Sequence, residues 1–579
     1  MIKSVTDIRF STDRPVSGWA FLLAAIALCC ANVPYLLGVL WTPTGATFTG
    51  LTFNADDGAV YLAWIRQAAE GNFFFTNRFT TETQQGLLVN LFFYLLGTIG
   101  RVTQLAPPVI YAGARIVFGG LLLWALWRLV VTLLPDSRAR ISAFAFLCFA
   151  SGFGFASDFD PRFAYEQPID RWQPEAITFL SLYYTPLFTA ALALMAVFAT
   201  SFYRAEQSGR KRDLVPACVA GFLLGNFHSY DILQLFAFAG VYRLLTDGMY
   251  GRANLAGYVR LAILGLAMLP TAGYQFLAIQ NEAVFKARVF DTATLSPSIV
   301  WVLLGFGLPL VLSVVAPFIE PARRKFGPDA LRLLLVWAVV AIAIAYVPVS
   351  FQRKLLMGAH LPLCIVGGAT LAAVTEKLSG LLPTTVSVFA VLITVPSNLR
   401  LLVRDIALLP RNFAATQYRP YLRADEAAAL RFLEKNAKQG EAVLVCPDMV
   451  AHRYSSSVLL PYLGVYVPAY SSATAYAAHW SETAEFQNRK NGEQVRFFRA
   501  NRTDEDREAF LAENPTIRYV LYADAVKNGL TDDKGVLFPD EQTGMPLFTG
   551  VDWTEGSSTV PPFLEPVHRS GSVTIFRVR

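Results

Sequence analysis

Apolar and polar positions alternate along this chain in long blocks, and the blocks change character near residue 397. A helix needs about 20 predominantly apolar residues to cross roughly 30 Å of hydrocarbon. Runs of that order occupy 18–40, 108–134, 140–157, 174–203, 213–227, 230–246, 261–281, 298–317, 331–349, 355–375 and 380–396, which predicts about eleven transmembrane helices. The first run has no small-residue cleavage site followed by a polar start, so it is expected to be a retained helix. The stretch 86–105 is also apolar, but Asn90, Thr98, Arg101 and Gln104 interrupt it. Read as an interfacial helix, it leaves Lys3, Arg9, Arg14, Arg138, Arg140, Arg204, Arg210, Lys211, Arg212, Arg252, Arg260, Arg323, Arg324, Lys325 and Lys377 on one side, where basic loop residues mark the cytoplasm. Read as a span, it scatters them over both faces. The pattern therefore predicts an inside N-terminus, with 41–107, 158–173, 282–297 and everything after 397 outside.

Beyond residue 405 charges become frequent. Short strand-like runs appear at 442–446, 464–467, 518–522 and 572–577, with helical patterns at 424–437 and 503–513. This divides the chain into a transmembrane domain (1–405), containing the outer loop 41–107 with interfacial helices, and an extracytoplasmic α/β domain (406–579). Composition agrees with an integral membrane protein: 54% of the 579 residues are hydrophobic, 16% are charged, and the mean hydropathy is +0.41. The six cysteines are scattered, which excludes a disulfide scaffold. No GxxxxGK[ST], GxGxxG, HExxH or CxxC motif occurs, so nucleotide-driven work by this chain, haem and transition-metal sites are not expected, and nothing points to nucleic acid.

Candidate chemistry sits at the membrane surface. In Asn54-Ala55-Asp56-Asp57-Gly58, two adjacent carboxylates stand where the first helix emerges, followed by an aromatic amphipathic segment with Trp64 and Arg66. A carboxylate at a low-dielectric boundary gains proton affinity and suits a general base. Paired carboxylates also suit a divalent cation, or Asp56 simply caps the next helix. Asp158-Phe159-Asp160 offers a second acidic pair, read either as a cation site or as a solvated turn before Pro161. Lys286, Arg288, Arg353 and Lys354 break the basic-inside pattern; they hold a lipid-linked phosphate or snorkel to headgroups. His228, Tyr230 and Asp231 form a polar turn that contacts a substrate or closes on itself. His479-Trp480-Ser481-Glu482-Thr483 is an acceptor-contact patch, or Trp480 packs in the terminal domain's core.

The order of these features resembles the GT-C superfamily of membrane glycosyltransferases: an acidic motif after the first span (Asp56-Asp57-Gly58), interfacial helices around 59–70 and 86–105, a span beginning near Arg115, a second acidic loop (Asp158-Phe159-Asp160) and a C-terminal outer domain. The resemblance implies transfer of a sugar from a polyprenyl-phosphate donor to a glycan, lipid or protein acceptor outside a bacterial inner membrane, with inversion at the anomeric carbon. It implies Asp57, with Asp56 beside it, as base or metal ligand. A Mg²⁺ or Mn²⁺ ion would be shared by Asp57, Asp158 and Asp160, and Arg353 would lie against the donor phosphate. The chain lacks the WWD-type motif of oligosaccharyltransferases. The competing expectation is a catalytically silent lipid- or polysaccharide-binding component, or a transporter, although the matched halves of a transporter are not evident.

Overall fold

A computed structural model describes residues 14–159, 167–251, 253–286, 292–411, 419–453, 456–528 and 548–579. It is mostly helical. Among the described residues seven helices are long and apolar enough to cross a membrane: Ser17–Leu40, Pro107–Leu133, Ser137–Ser157, Pro186–Ser208, Leu255–Asn281, Ile299–Phe318 and Gln352–Val374. The pair Leu382–Leu392 and Pro396–Leu408, bent by 49°, makes an eighth if it counts as one span. Three further expected spans are helices that miss this measure for visible reasons. Val215–Phe227 and Ala330–Ile344 have only 13 and 15 residues, and Asp231–Tyr250 carries Asp231, Arg243 and Asp247. The expected run 174–203 is broken at Thr185, which is extended and caps Pro186–Ser208 through the Leu187 N–H. Pro186 starts that helix because its missing N–H costs nothing at a first turn. The stretch 86–105 contains the 13-residue helix Leu91–Thr103, capped by the Asn90 side chain on the N–H groups of Phe92 and Phe93.

The helix His360–Val374 is buried from His360 to Ala373, so the other helices enclose it. Adjacent glycines let its neighbours come close: a Cβ on Gly368 would lie 2.3 Å from the backbone N and Cα of Ala143. Backbone atoms cannot move aside as a flexible side chain can. Gly368→Ala is therefore expected to lower the thermal midpoint of the purified protein, by an overpacking cost of about 1–3 kcal/mol. Gly113→Ala, where a Cβ meets nothing within 4 Å, should leave the midpoint unchanged in the same melting experiment.

Polar contacts sort the loops into two groups. At one end, Lys325 reaches Asp136 and Glu376 (both 3.3 Å), Arg204 donates to Thr132, and Arg243 and Arg260 converge on buried Glu206. At the other end, the segment following the first helix joins the terminal domain. Thr47–Phe48 pairs antiparallel with Tyr421–Leu422, Thr80 bridges to Ala477, Asn77 donates to the Glu482 carbonyl (2.7 Å) and Lys490 pairs with Glu82 (2.6 Å).

The terminal domain contains a mixed five-stranded sheet. Ala442–Val445 lies parallel to Thr474–Ala475 on one side and to Ile517–Ala523 on the other. Val573–Val578 then runs antiparallel between Ile517–Ala523 and Leu564–Ser570. The helices Ala424–Asn436 and Asp504–Glu513 match the expected ones. The strand expected at 464–467 is a correction: Tyr462–Val465 is a 3₁₀ turn leading into the helix Tyr466–Tyr470. A short buried apolar run carries no period that separates strand from helix, and here it packs on the helix Ala55–Ala69. The expected division at residue 405 falls inside the helix Pro396–Leu408.

Candidate active site

The helix Ala55–Ala69 begins with Asn54 as N-cap, in a left-handed conformation (φ 49°), so the capping role considered for Asp56 belongs to the backbone position of Asn54. Asp56 and Asp57 occupy the first turn, where the free N–H groups of a helix favour negative charge. Successive residues on a helix diverge by about 100°, and the two carboxylates accordingly part company. Asp57 lines a cavity of about 530 Å³, whereas Asp56 is 6% exposed and does not line it. Asp57 accepts a hydrogen bond from Asn54 Nδ2, and Tyr184 donates to it from 3.5 Å. Burial, and next the charge of Asp57, raise the proton affinity of Asp56. Of the two, Asp57 is the one placed to meet a ligand.

His479 of the terminal domain closes on this pair. Its Nε2 is 3.4 Å from Asp57 Oδ1 and 3.8 Å from Asp56 Oδ2, and the ring is fully buried. The backbone N–H groups of Ser481 and Glu482 donate to Nδ1 (3.1 and 3.2 Å). Nδ1 is therefore an acceptor, and the ring proton sits on Nε2, facing the carboxylates. A residue 422 positions downstream of Asp57 thus fixes the surroundings of the acid.

Three cationic side chains, Arg353, Lys354 and Arg404, line the same cavity as Asp57. Arg353 lies 5.0 Å from the Trp172 ring and 3.8 Å from Glu175, and Gln173 holds its carbonyl (2.9 Å). Lys354 Nζ sits 4.8 Å over the Tyr230 ring. Arg404 pairs with Asp405 (2.9 Å) and stacks 5.6 Å from Phe53. Trp64, Tyr61, His228 and Tyr230 complete the wall, with Trp480 of the terminal domain. Arg353 and Arg404 each have a carboxylate beside them, Glu175 and Asp405, and the three cationic groups share one cavity with Asp57, so N–H donors for an anion and a carboxylate suited to take a proton line the same space.

Other expected site residues lie elsewhere. Arg66 faces the terminal domain and pairs with Glu434 (2.6 Å), because its helix turns that face away from the cavity. Asp231 is buried and closes on His228 (3.1 Å), so the polar turn partly binds itself, while His228, Ser229 and Tyr230 line the cavity. Lys286 is exposed and outside the lining, since its short helical segment points it to solvent. Arg288 and Asp160 lie outside the described residues, as does the side chain of Asp158. Among the described residues no group of three or more His, Cys, Asp or Glu side chains is arranged to hold a metal ion. At Asp57 the third candidate, His479, turns an N–H rather than a lone pair toward the carboxylates, so the described donor set does not fit a cation. Sequence reasoning passed over Arg404 and the partnership of His479 with Asp57. Arg404 was detectable as another basic residue just after the last apolar run; the His479 pairing left no local signal.

No protein-family model matches the chain, and no curated protein matches it either. Solved structures do. The cryo-EM structure of the arabinofuranosyltransferase AftD from mycobacteria matches over 97% of this chain with a TM-score of 0.53 and 14% sequence identity; a mutant form of AftD gives 0.51 and 14%. The chain spans about 40% of the length of AftD. ArnT from Cupriavidus metallidurans, solved with undecaprenyl phosphate, is similar over 97% of this chain and 98% of its own, with 12% identity and a TM-score of 0.46. The chain therefore shares its fold with the part of the arabinofuranosyltransferase AftD that it matches.

Proposed function

We propose that this protein is an inverting glycosyltransferase that moves a sugar from a polyprenyl-phosphate carrier to an acceptor hydroxyl on the outer face of a bacterial inner membrane. The observation that carries the reading is the one cavity that Asp57 lines together with Arg353, Lys354 and Arg404. An isoprenoid donor dissolves only in the bilayer, so its phosphate must be met by cations at the interface. Asp57 takes the proton of the acceptor hydroxyl as that oxygen attacks the anomeric carbon in line. The bond from that carbon to the phosphate oxygen breaks, its electron pair leaves with the phosphate, and the three cations stabilise the added charge. One displacement without a covalent intermediate inverts the anomeric centre.

The proposed topology has eleven crossings with the C-terminal domain outside. It is supported by the three short or charged helices, which run between the same two groups of loops as the longer ones. It is supported as well by Arg138, Arg140, Arg204, Arg210, Lys211, Arg212, Arg323 and Lys325, which cluster at the end opposite the cavity.

The experiment is to incubate the purified protein with a panel of polyprenyl-phosphate sugars and acceptors and to follow released carrier phosphate, with and without chelator. Release from at least one donor is expected, unchanged by EDTA, because the described residues around Asp57 supply no cation site. EDTA inhibition reversed by Mg²⁺ or Mn²⁺ would bring in Asp158 and Asp160 as the missing ligands. No release from any donor would overturn the reading.

A further inference from the structure

Two short segments tie Arg404 to Asp57. Thr52, Phe53 and Asn54 lead into the helix Ala55–Ala69, and Tyr183 and Tyr184 end the helix Thr178–Tyr184. Tyr183 is fully buried and Asp405 is 2% exposed, and neither lines the cavity. The Tyr183 hydroxyl donates to Asp405 Oδ2 (2.6 Å). A phenol has a single proton to give, so the Thr52 hydroxyl is the donor in its contact with Tyr183 (2.8 Å). The other oxygen, Asp405 Oδ1, lies 2.9 Å from both Nε and Nη2 of Arg404. Asp405 thus grips the guanidinium by one edge, and a guanidinium has more N–H groups than that grip uses.

The neighbouring residues of the same two segments reach the base. Tyr184 donates to Asp57 (3.5 Å), and Asn54 Nδ2 donates to Tyr184 (3.1 Å) and to Asp57. Between the two ends lies the Phe53 ring, 5.6 Å from both the Arg404 guanidinium and the Tyr184 ring. We propose that Tyr183 and Asp405 are positioning residues of the transfer reaction, which set Arg404 for the carrier phosphate at a fixed place relative to Asp57. The inference deepens the transferase reading and rests on it. A buried carboxylate oxygen left without a donor is costly. Without the Tyr183 hydroxyl, Asp405 turns to close both oxygens on the guanidinium and draws Arg404 off the ligand.

The test is a double-mutant cycle on full-length protein in nanodiscs, read by titration with undecaprenyl phosphate for affinity and for the number of sites per chain. Tyr183→Phe should weaken binding at least fivefold with the number of sites unchanged. A role in stability alone would reduce the number of sites and leave their affinity as it was. In an Arg404→Ala background the same substitution should change the affinity by less than twofold, because Tyr183 acts through Arg404. Thr52→Val, which removes the donor to Tyr183 and keeps the side chain's shape, should act in the same direction and carries the cycle if Tyr183→Phe does not fold. An affinity unchanged within twofold, or an equal loss with and without Arg404, would overturn the positioning role. Failure of the wild type to bind undecaprenyl phosphate would instead overturn the carrier reading, and this inference with it.

Discussion

Asp57→Asn is expected to abolish most turnover while leaving carrier binding within about twofold, the loss lying in the range of about 10²–10⁴ typical for removal of a general base. The substitution keeps the shape of the side chain and an oxygen that can still accept from Asn54. It removes only the ability to take a proton. Asp56→Asn should behave differently. That carboxylate is buried and does not line the cavity, and burial raises its proton affinity, so replacing it with a neutral amide disturbs the site less than the same change at Asp57. Activity within a few-fold of wild type is expected there. Steady-state release of carrier phosphate, paired with a binding titration of undecaprenyl phosphate, separates the two variants. Equal losses in both would show that the pair acts as a unit. Full activity in Asp57→Asn would remove the base from the mechanism and favour a silent binding protein.

Replacing Arg353 and Lys354 together with alanine is expected to produce the largest loss of carrier affinity. A hydrogen bond to a charged group contributes about 1.5–3 kcal/mol, and 1.4 kcal/mol is a factor of ten, so each residue should weaken undecaprenyl phosphate binding by about 10- to 100-fold. Arg353→Lys should recover only part of its share, because an ammonium is a point charge and cannot grip a phosphate with two parallel N–H groups. The Trp172 ring, 5.0 Å from the guanidinium, also suits a flat cation better than a round one. A nanodisc titration checks this directly. An affinity unchanged within twofold in the double variant would assign these residues to the membrane surface rather than to the ligand.

The apolar runs made most of the helices legible, since a stretch that must lie in hydrocarbon has one composition whatever its neighbours do. They could not show where Thr185 and Pro186 break one run into two pieces, nor that 464–467 turns instead of extending. Both outcomes are settled by packing. The acidic pair was legible as chemistry but not as geometry: adjacency in sequence suggests shared work, whereas a helix points Asp56 and Asp57 to different places. Arg66 shows the same effect, appearing beside Trp64 in sequence and turning to Glu434 in space. His479 was least legible, because a side chain that acts on a partner 422 residues away leaves no periodicity or spacing to read.

The joining of the first loop to the terminal domain has a consequence for biogenesis. Asn77 and Glu482 are 405 residues apart, and strand 47–48 waits for strand 421–422. At roughly 5–20 residues per second, a ribosome takes roughly 20–80 s between making the first of these partners and the last. Throughout that interval the aromatic loop stands without its cover from the terminal domain. A chain truncated shortly before His479 should accordingly insert its helices normally yet be cleared by proteases, with the clearance beginning at the uncovered loop.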